Sequence, residues 1–159
     1  MRTTLFLAVL SAVPACGARR VTPAQLDEAA AALDFGDDDS SALTTKAWQA
    51  LATKDYLAVL ATTREVISRY GAQGRAMNAA LDDFATAQDA AQYWALNDVG
   101  SSLFIQAEAY VALRQFDQAA DALDDLKTNY GFSQCWDPQG WYWHPAHDLS
   151  DRIRTYRSK

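Results

Sequence analysis

Displaced by 60 residues, this chain of 159 falls partly onto itself. Leu43 lies over Leu103, Ala47 over Ala107 and Tyr56 over Phe116, while Val59, Val66, Tyr70 and Gly71 lie over Ala119, Leu126, Tyr130 and Gly131. Self-similarity at one offset marks a supersecondary unit that buries its apolar face against the next copy of itself. Within the first copy, Tyr56, Val59, Leu60, Val66, Ile67 and Tyr70 recur at helical spacing, the pattern of a helix with one apolar side. No run alternates with a period of two, so no strand is expected and the fold class is all-α. Composition agrees: seven Gly and four Pro are too few for the frequent turns of an all-β chain, and 50% apolar residues suffice for a core. The net charge of −6 argues against a nucleic-acid partner, whose phosphates call for clustered Lys and Arg.

Start and stop signals divide the chain. Thr22-Pro23-Ala24-Gln25 opens a helix: Thr22 can cap, Pro23 loses no needed hydrogen bond in the first turn, and Gln25 can reach back. That helix is expected to run to about Asp34, with Gly36 as its stop. Asp37-Asp38-Asp39-Ser40-Ser41 lacks the alternating ligands of a calcium loop and reads as a solvated turn. Further helices are expected at 41–53, from Asp55 to Tyr70 with a stop at Gly71, at 75–91, at 93–113, from Phe116 to Tyr130, and from Pro145 to Tyr156. Only Arg114 and Gln115 separate the two helices that flank them, which must pack antiparallel. The boundaries expected are a leader at 1–15, an N-terminal segment with a short helix and an acidic linker at 16–40, and a helical domain at 41–159.

In the second copy, Leu103, Ala107, Tyr110, Ala119, Leu123 and Leu126 stand at large, small, aromatic, small, large and large positions. The small residues let two helices approach and the larger ones fill the groove beside them. This spacing resembles the tetratricopeptide repeat over 99–131, and more loosely over 43–71, where Ala50 replaces the aromatic and Thr63 the large residue. The resemblance implies a short right-handed array of helix pairs. The family period is about 34 residues, so an extra helix at 75–91 is expected between the copies.

A second resemblance rests on the string from Tyr93 to Val99 and on the aromatic run from Tyr130 to Trp143. It is similar to helical-repeat proteins exported by bacteria, some of which carry a β-glucanase label. Glycoside hydrolysis needs two carboxyl groups held across a sugar-binding cleft. The Glu-x-Asp-x-x-Glu signature is missing here, so the architecture is carried over and the enzyme label is not. The phosphate loop, dinucleotide fingerprint and nucleophile elbow are missing too, and no cofactor is expected.

The N-terminus carries an address. Arg2 precedes the apolar run Leu5 to Val13, which is too short to span a ~30 Å hydrocarbon layer as a helix and reads as the centre of a secretory signal. Val13-Pro14-Ala15-Cys16 resembles the lipobox of bacterial lipoproteins, which implies lipidation of Cys16 and a membrane tether. Cleavage after Ala15 by the general signal protease is the alternative. If Cys16 carries lipid, Cys135 is unpaired, since these are the only two cysteines. Gly17 after the cysteine implies, by the same resemblance, the outer membrane and its periplasmic face.

Three of the five tryptophans, Trp136, Trp141 and Trp143, stand beside Phe132 and Tyr142. These rings read either as a terminal cap over the last helix pair or as a stacking platform for a sugar or peptide, with Asp137-Pro138-Gln139-Gly140 as a turn among them. Cys135, Asp137, His144 and His147 fit no common zinc spacing, so no metal is expected. Asp82-Asp83 and Asp124-Asp125 read as solvated helix faces. Asn97 and Asp98 are expected to hydrogen-bond to a neighbouring helix end, with a groove-facing ligand role as the alternative. The expected whole is a non-catalytic envelope lipoprotein that docks a protein partner, or else a glycan-binding module.

Overall fold

The computed structural model describes residues 20–147 and 149–159; the expected leader and Cys16 lie outside them. Helix α1 (Pro23–Ala32) starts with a reciprocal capping box: the Gln25 amide donates to Thr22 Oγ1 at 3.3 Å, and the Thr22 amide donates to Gln25 Oε1 at 2.9 Å. Helix α2 (Ser40–Ala52) is capped by Asp39, whose carboxylate accepts from the Ala42 amide at 2.8 Å. Helix α3 (Tyr56–Ala79) is capped by Asp55, which accepts from Ala58 at 3.2 Å. The acidic turn therefore splits its work, because Asp38 pairs with Lys46 while Asp39 satisfies the exposed amides of a helix start.

The repeat shows first in the turns. Helix α2 joins α3, and α4 (Trp94–Ala112) joins α5 (Phe116–Asn129), through the same backbone conformation. Lys54 and Arg114, 60 positions apart, both lie in the left-handed region, with φ of 63° and 58°. Lys54 N donates to Leu51 O and Asp55 N to Ala50 O; Arg114 N donates to Val111 O and Gln115 N to Tyr110 O, all at 2.8–3.0 Å. This is a Schellman closure, in which glycine normally takes the left-handed site. Turns this short make each pair antiparallel.

Packing repeats as well. Ala47 and Ala107 are fully buried, as are Val59 and Ala119, and Leu43 and Leu103 are buried in one core cluster with Val66, Leu123, Leu126 and Tyr130. A second cluster gathers Ala47, Leu60, Ile105 and Ala109, and Val21 and Leu26 close over it. Helix α3 packs on α1, α2 and α4, helix α4 also on α2 and α5, and α6 (Leu149–Arg157) on α5. Among the described residues no helix is long and apolar enough to cross a membrane.

Five expectations need correction. There is no separate helix at 75–91: α3 runs straight through Gly71 to Ala79, an irregular stretch follows, and a 3-10 turn at Ala90–Tyr93 leads into α4. Asp82 and Asp83 accordingly sit exposed outside any helix. Gly71 is a packing residue, not a stop, because a Cβ there would come 3.2 Å from the Tyr130 hydroxyl oxygen. The expectation of no strand also fails, since β1 (Cys135–Asp137) pairs antiparallel with β2 (Trp141–Trp143). Three residues per strand leave no room for alternation to show. The turn expected between them is present, with Gly140 N donating to Asp137 O at 2.9 Å and Gly140 at φ 106°. The last helix begins at Leu149, after a turn that holds Pro145 buried, not at Pro145 itself.

Candidate functional site

Between α3, α4 and α5 the surface opens into a groove of about 480 Å³. Helix spacing builds each wall. Leu103, Gln106 and Tyr110 project from one side of α4, Arg64 and Ile67 from one side of α3, and Gln118, Asp121, Ala122 and Asp125 from one side of α5. Leu103, Ile67 and Ala122 make the apolar floor, and the polar groups stand along the rim. Arg64 Nη2 pairs with Asp27 at 2.8 Å, and Arg157 Nη2 with Asp121 at 2.5 Å. Asp125 accepts from the Asn129 side-chain amide at 2.6 Å. Gln106 Nε2 donates to Thr63 Oγ1 at 3.4 Å. Burial pushes the Tyr110 phenol up; Arg64 opposes the shift and Asp121 adds to it, so the ring carries its proton at neutral pH.

Of the six repeat-packing residues, Ala107, Ala119, Leu123 and Leu126 are sunk in the core. Leu103 serves both the core and the groove floor, and Tyr110 lines the groove wall. Sequence reasoning missed Arg64, Gln106, Gln118 and Asp121, and it read Asp125 as part of a solvated face, whereas that residue is half-buried at the groove because α5 turns it toward α4. The spacings 103/106/110 and 118/121/125 could have marked single helix faces, but nothing local says that these two faces open toward the same side of α3.

The aromatic block divides. Trp143 packs edge-on against Phe104, with ring centroids 5.1 Å apart, and the Arg152 guanidinium lies 5.4 Å from the same ring while it pairs with Glu108. Trp136 and Trp141 stay 59% and 50% exposed. Trp136 is paired with Tyr142, and Trp141 with Asp137, so the two exposed tryptophans leave opposite faces of the hairpin. Trp136 and Tyr142 meet edge to face at 5.1 Å. The three tryptophans do not share one platform.

The polar residues near the hairpin are taken up by structure. Ser101 Oγ contacts Cys135 Sγ at 2.6 Å. Burial pushes the Cys135 thiol up to about 12, the Ser101 hydrogen bond opposing and the Asp98 charge adding, so it is not a thiolate at neutral pH. Asn97 donates to Ala90 O and accepts from the Gln134 amide, both at 2.8 Å. Asp98 accepts from Ser40 Oγ at 2.5 Å, and burial holds its carboxyl above the usual range. Both thus bind neighbouring backbone or helix starts. His144 stacks on Phe84 at 3.8 Å, and burial together with His147 lowers its pKa. Among the described residues no three His, Cys, Asp or Glu side chains are grouped to hold a metal ion.

Comparison with known proteins finds no matching family model, no similar curated protein and no similar solved structure.

Proposed function

We propose that the protein is a non-catalytic, exported, lipid-anchored array of tetratricopeptide-like helix pairs that serves as a protein–protein interaction scaffold on the periplasmic face of a bacterial outer membrane. One observation carries the reading: two helix pairs closed by the same left-handed turn at Lys54 and Arg114 flank an open groove lined by Leu103 and Tyr110. Stacked helix pairs present extended surfaces of this kind to partners. The buried, protonated Cys135 thiol supports the non-catalytic part. The tether rests on the resemblance of residues 13–16 to a lipobox.

A photo-crosslinking residue at Gln118 should capture one defined envelope protein, whereas the same residue at Leu57, exposed and outside the groove, should not. Equal capture at both positions, or none at Gln118, removes the scaffold reading. Labelled palmitate should enter the wild-type chain and not Cys16→Ser; incorporation that survives the substitution removes the anchor.

The exposure of Trp136 favours a second reading, a glycan-binding module accessory to a cell-wall enzyme. Titration with β-glucan or peptidoglycan fragments should then shift tryptophan fluorescence, and Trp136→Ala should abolish the shift. A flat titration removes this reading.

A further inference from the structure

Resting on the scaffold reading, we infer that the α3–α4–α5 groove takes a basic side chain, lysine or arginine, from an extended segment of the partner, its stem on the apolar floor and its charged head at Asp125. The charges around the groove single out that carboxylate. Arg64 is matched by Asp27 and Asp121 by Arg157. Asp125 is half-buried and receives only the neutral Asn129 amide; among the described residues no salt bridge reaches it. A carboxylate at the edge of an apolar floor gains most from a cation that brings its own apolar stem.

The surroundings agree on sign. The charged residues that α5 brings to the groove are Asp121 and Asp125, so an acidic side chain would meet repulsion along that wall. Tyr110 lines the same groove, and an aromatic ring there can attract a cation. The Gln106 and Gln118 carboxamides at the rim can each donate to and accept from the backbone of an extended chain. A protein of net charge −6 also steers a basic partner toward itself.

The test titrates the isotope-labelled full chain with four blocked amino acids, the N-acetyl N′-methylamides of lysine, arginine, norleucine and glutamate, and follows amide shifts by NMR. Lysine and arginine should move Tyr110, Gln118 and Asp125 together and saturably. Affinity should fall about tenfold when salt rises from about 0.05 to about 0.5 M. Asp125→Asn, which keeps an acceptor for Asn129, should weaken binding by at least about tenfold, and Asp125→Glu should restore most of it. Norleucine binding as well as lysine, glutamate binding better, indifference to Asp125→Asn, or no shift from any probe overturns the inference. The two readings fail separately. A partner crosslinked at Gln118 whose capture ignores Asp125→Asn leaves the scaffold standing and sinks the basic ligand, whereas saturable lysine binding with no captured partner does the reverse.

Discussion

The two helix pairs share a turn and a set of small buried positions, yet they do different work. At positions 60 apart, Ala50 corresponds to Tyr110, Thr63 to Leu123, Gly71 to Gly131 and Asp38 to Asp98. Thr63 lies fully buried and donates its hydroxyl to Val59 O at 2.8 Å, so its own helix satisfies it. The larger contrast is in length. Helix α5 stops at Asn129, whereas α3 continues past Gly71 to Ala79. Tyr130 explains the difference: it is fully buried, donates to Gly71 O at 3.1 Å, accepts from Arg75 Nη1 at 2.8 Å, and lies where a Cβ on Gly71 or Gly74 would crowd it. Its counterpart Tyr70 is half-exposed and leans edge-on against Trp94. A repeat unit is thus defined by its turn and its close-packed residues, while its length follows from which neighbour fills the notch.

The sharpest break of this comparison is Tyr130→Ala against Tyr70→Ala. The first should cost about 3–5 kcal/mol and the second roughly 1 kcal/mol, because only Tyr130 leaves a closed cavity and unpaired polar groups; urea denaturation of both variants measures the gap. Ala47→Leu and Ala107→Leu should each cost about 1–3 kcal/mol by overpacking the same close approach. Melting temperatures that differ widely between them would show that the pairs are not packed alike. The matching turns predict gains: Lys54→Gly should stabilise by up to about 1 kcal/mol, since glycine escapes the left-handed penalty. Arg114→Gly should gain less, because it gives up the guanidinium contact with the Phe116 ring.

The smallest effects concern pH. Asp98 titrates above its usual 3.8 in the folded chain. Between those values the folded state holds more protons than the unfolded one, so stability falls as pH rises through that window. Asp98→Asn should flatten the slope. His144, just after the hairpin that has no counterpart in the first copy, titrates below 6.5. Below 6.5 the unfolded state therefore holds more protons, and stability should be lost as pH falls toward the lowered value; His144→Phe should remove that loss. Melting curves from pH 4 to 8 separate the two, because their slopes have opposite sign.

Much of the local structure was legible in consecutive residues. The Thr22–Gln25 box, the helix start at Asp55, the turn at 138–140 and the burial of Ala47, Ala107, Ala119 and Leu126 follow from interactions that span a few positions or from helical periodicity. Gly71 misled because a glycine after an apolar helix signals a stop equally well whether or not a distant ring needs the space. The hairpin escaped notice because its strands are too short to carry a pattern. The candidate groove was half legible: Leu103 and Tyr110 stood out by spacing, whereas Arg64, Asp121 and Asp125 did not. By itself the sequence determined the helix starts at Thr22 and Asp55, the antiparallel pairing across residues 114–115 and which residues are small enough to touch, since these are short-range matters of capping and periodicity. Only the tertiary structure decided that α3 outruns its copy and that three helix faces meet at Asp125, because both depend on contacts between residues far apart in the chain, whose register is set by packing.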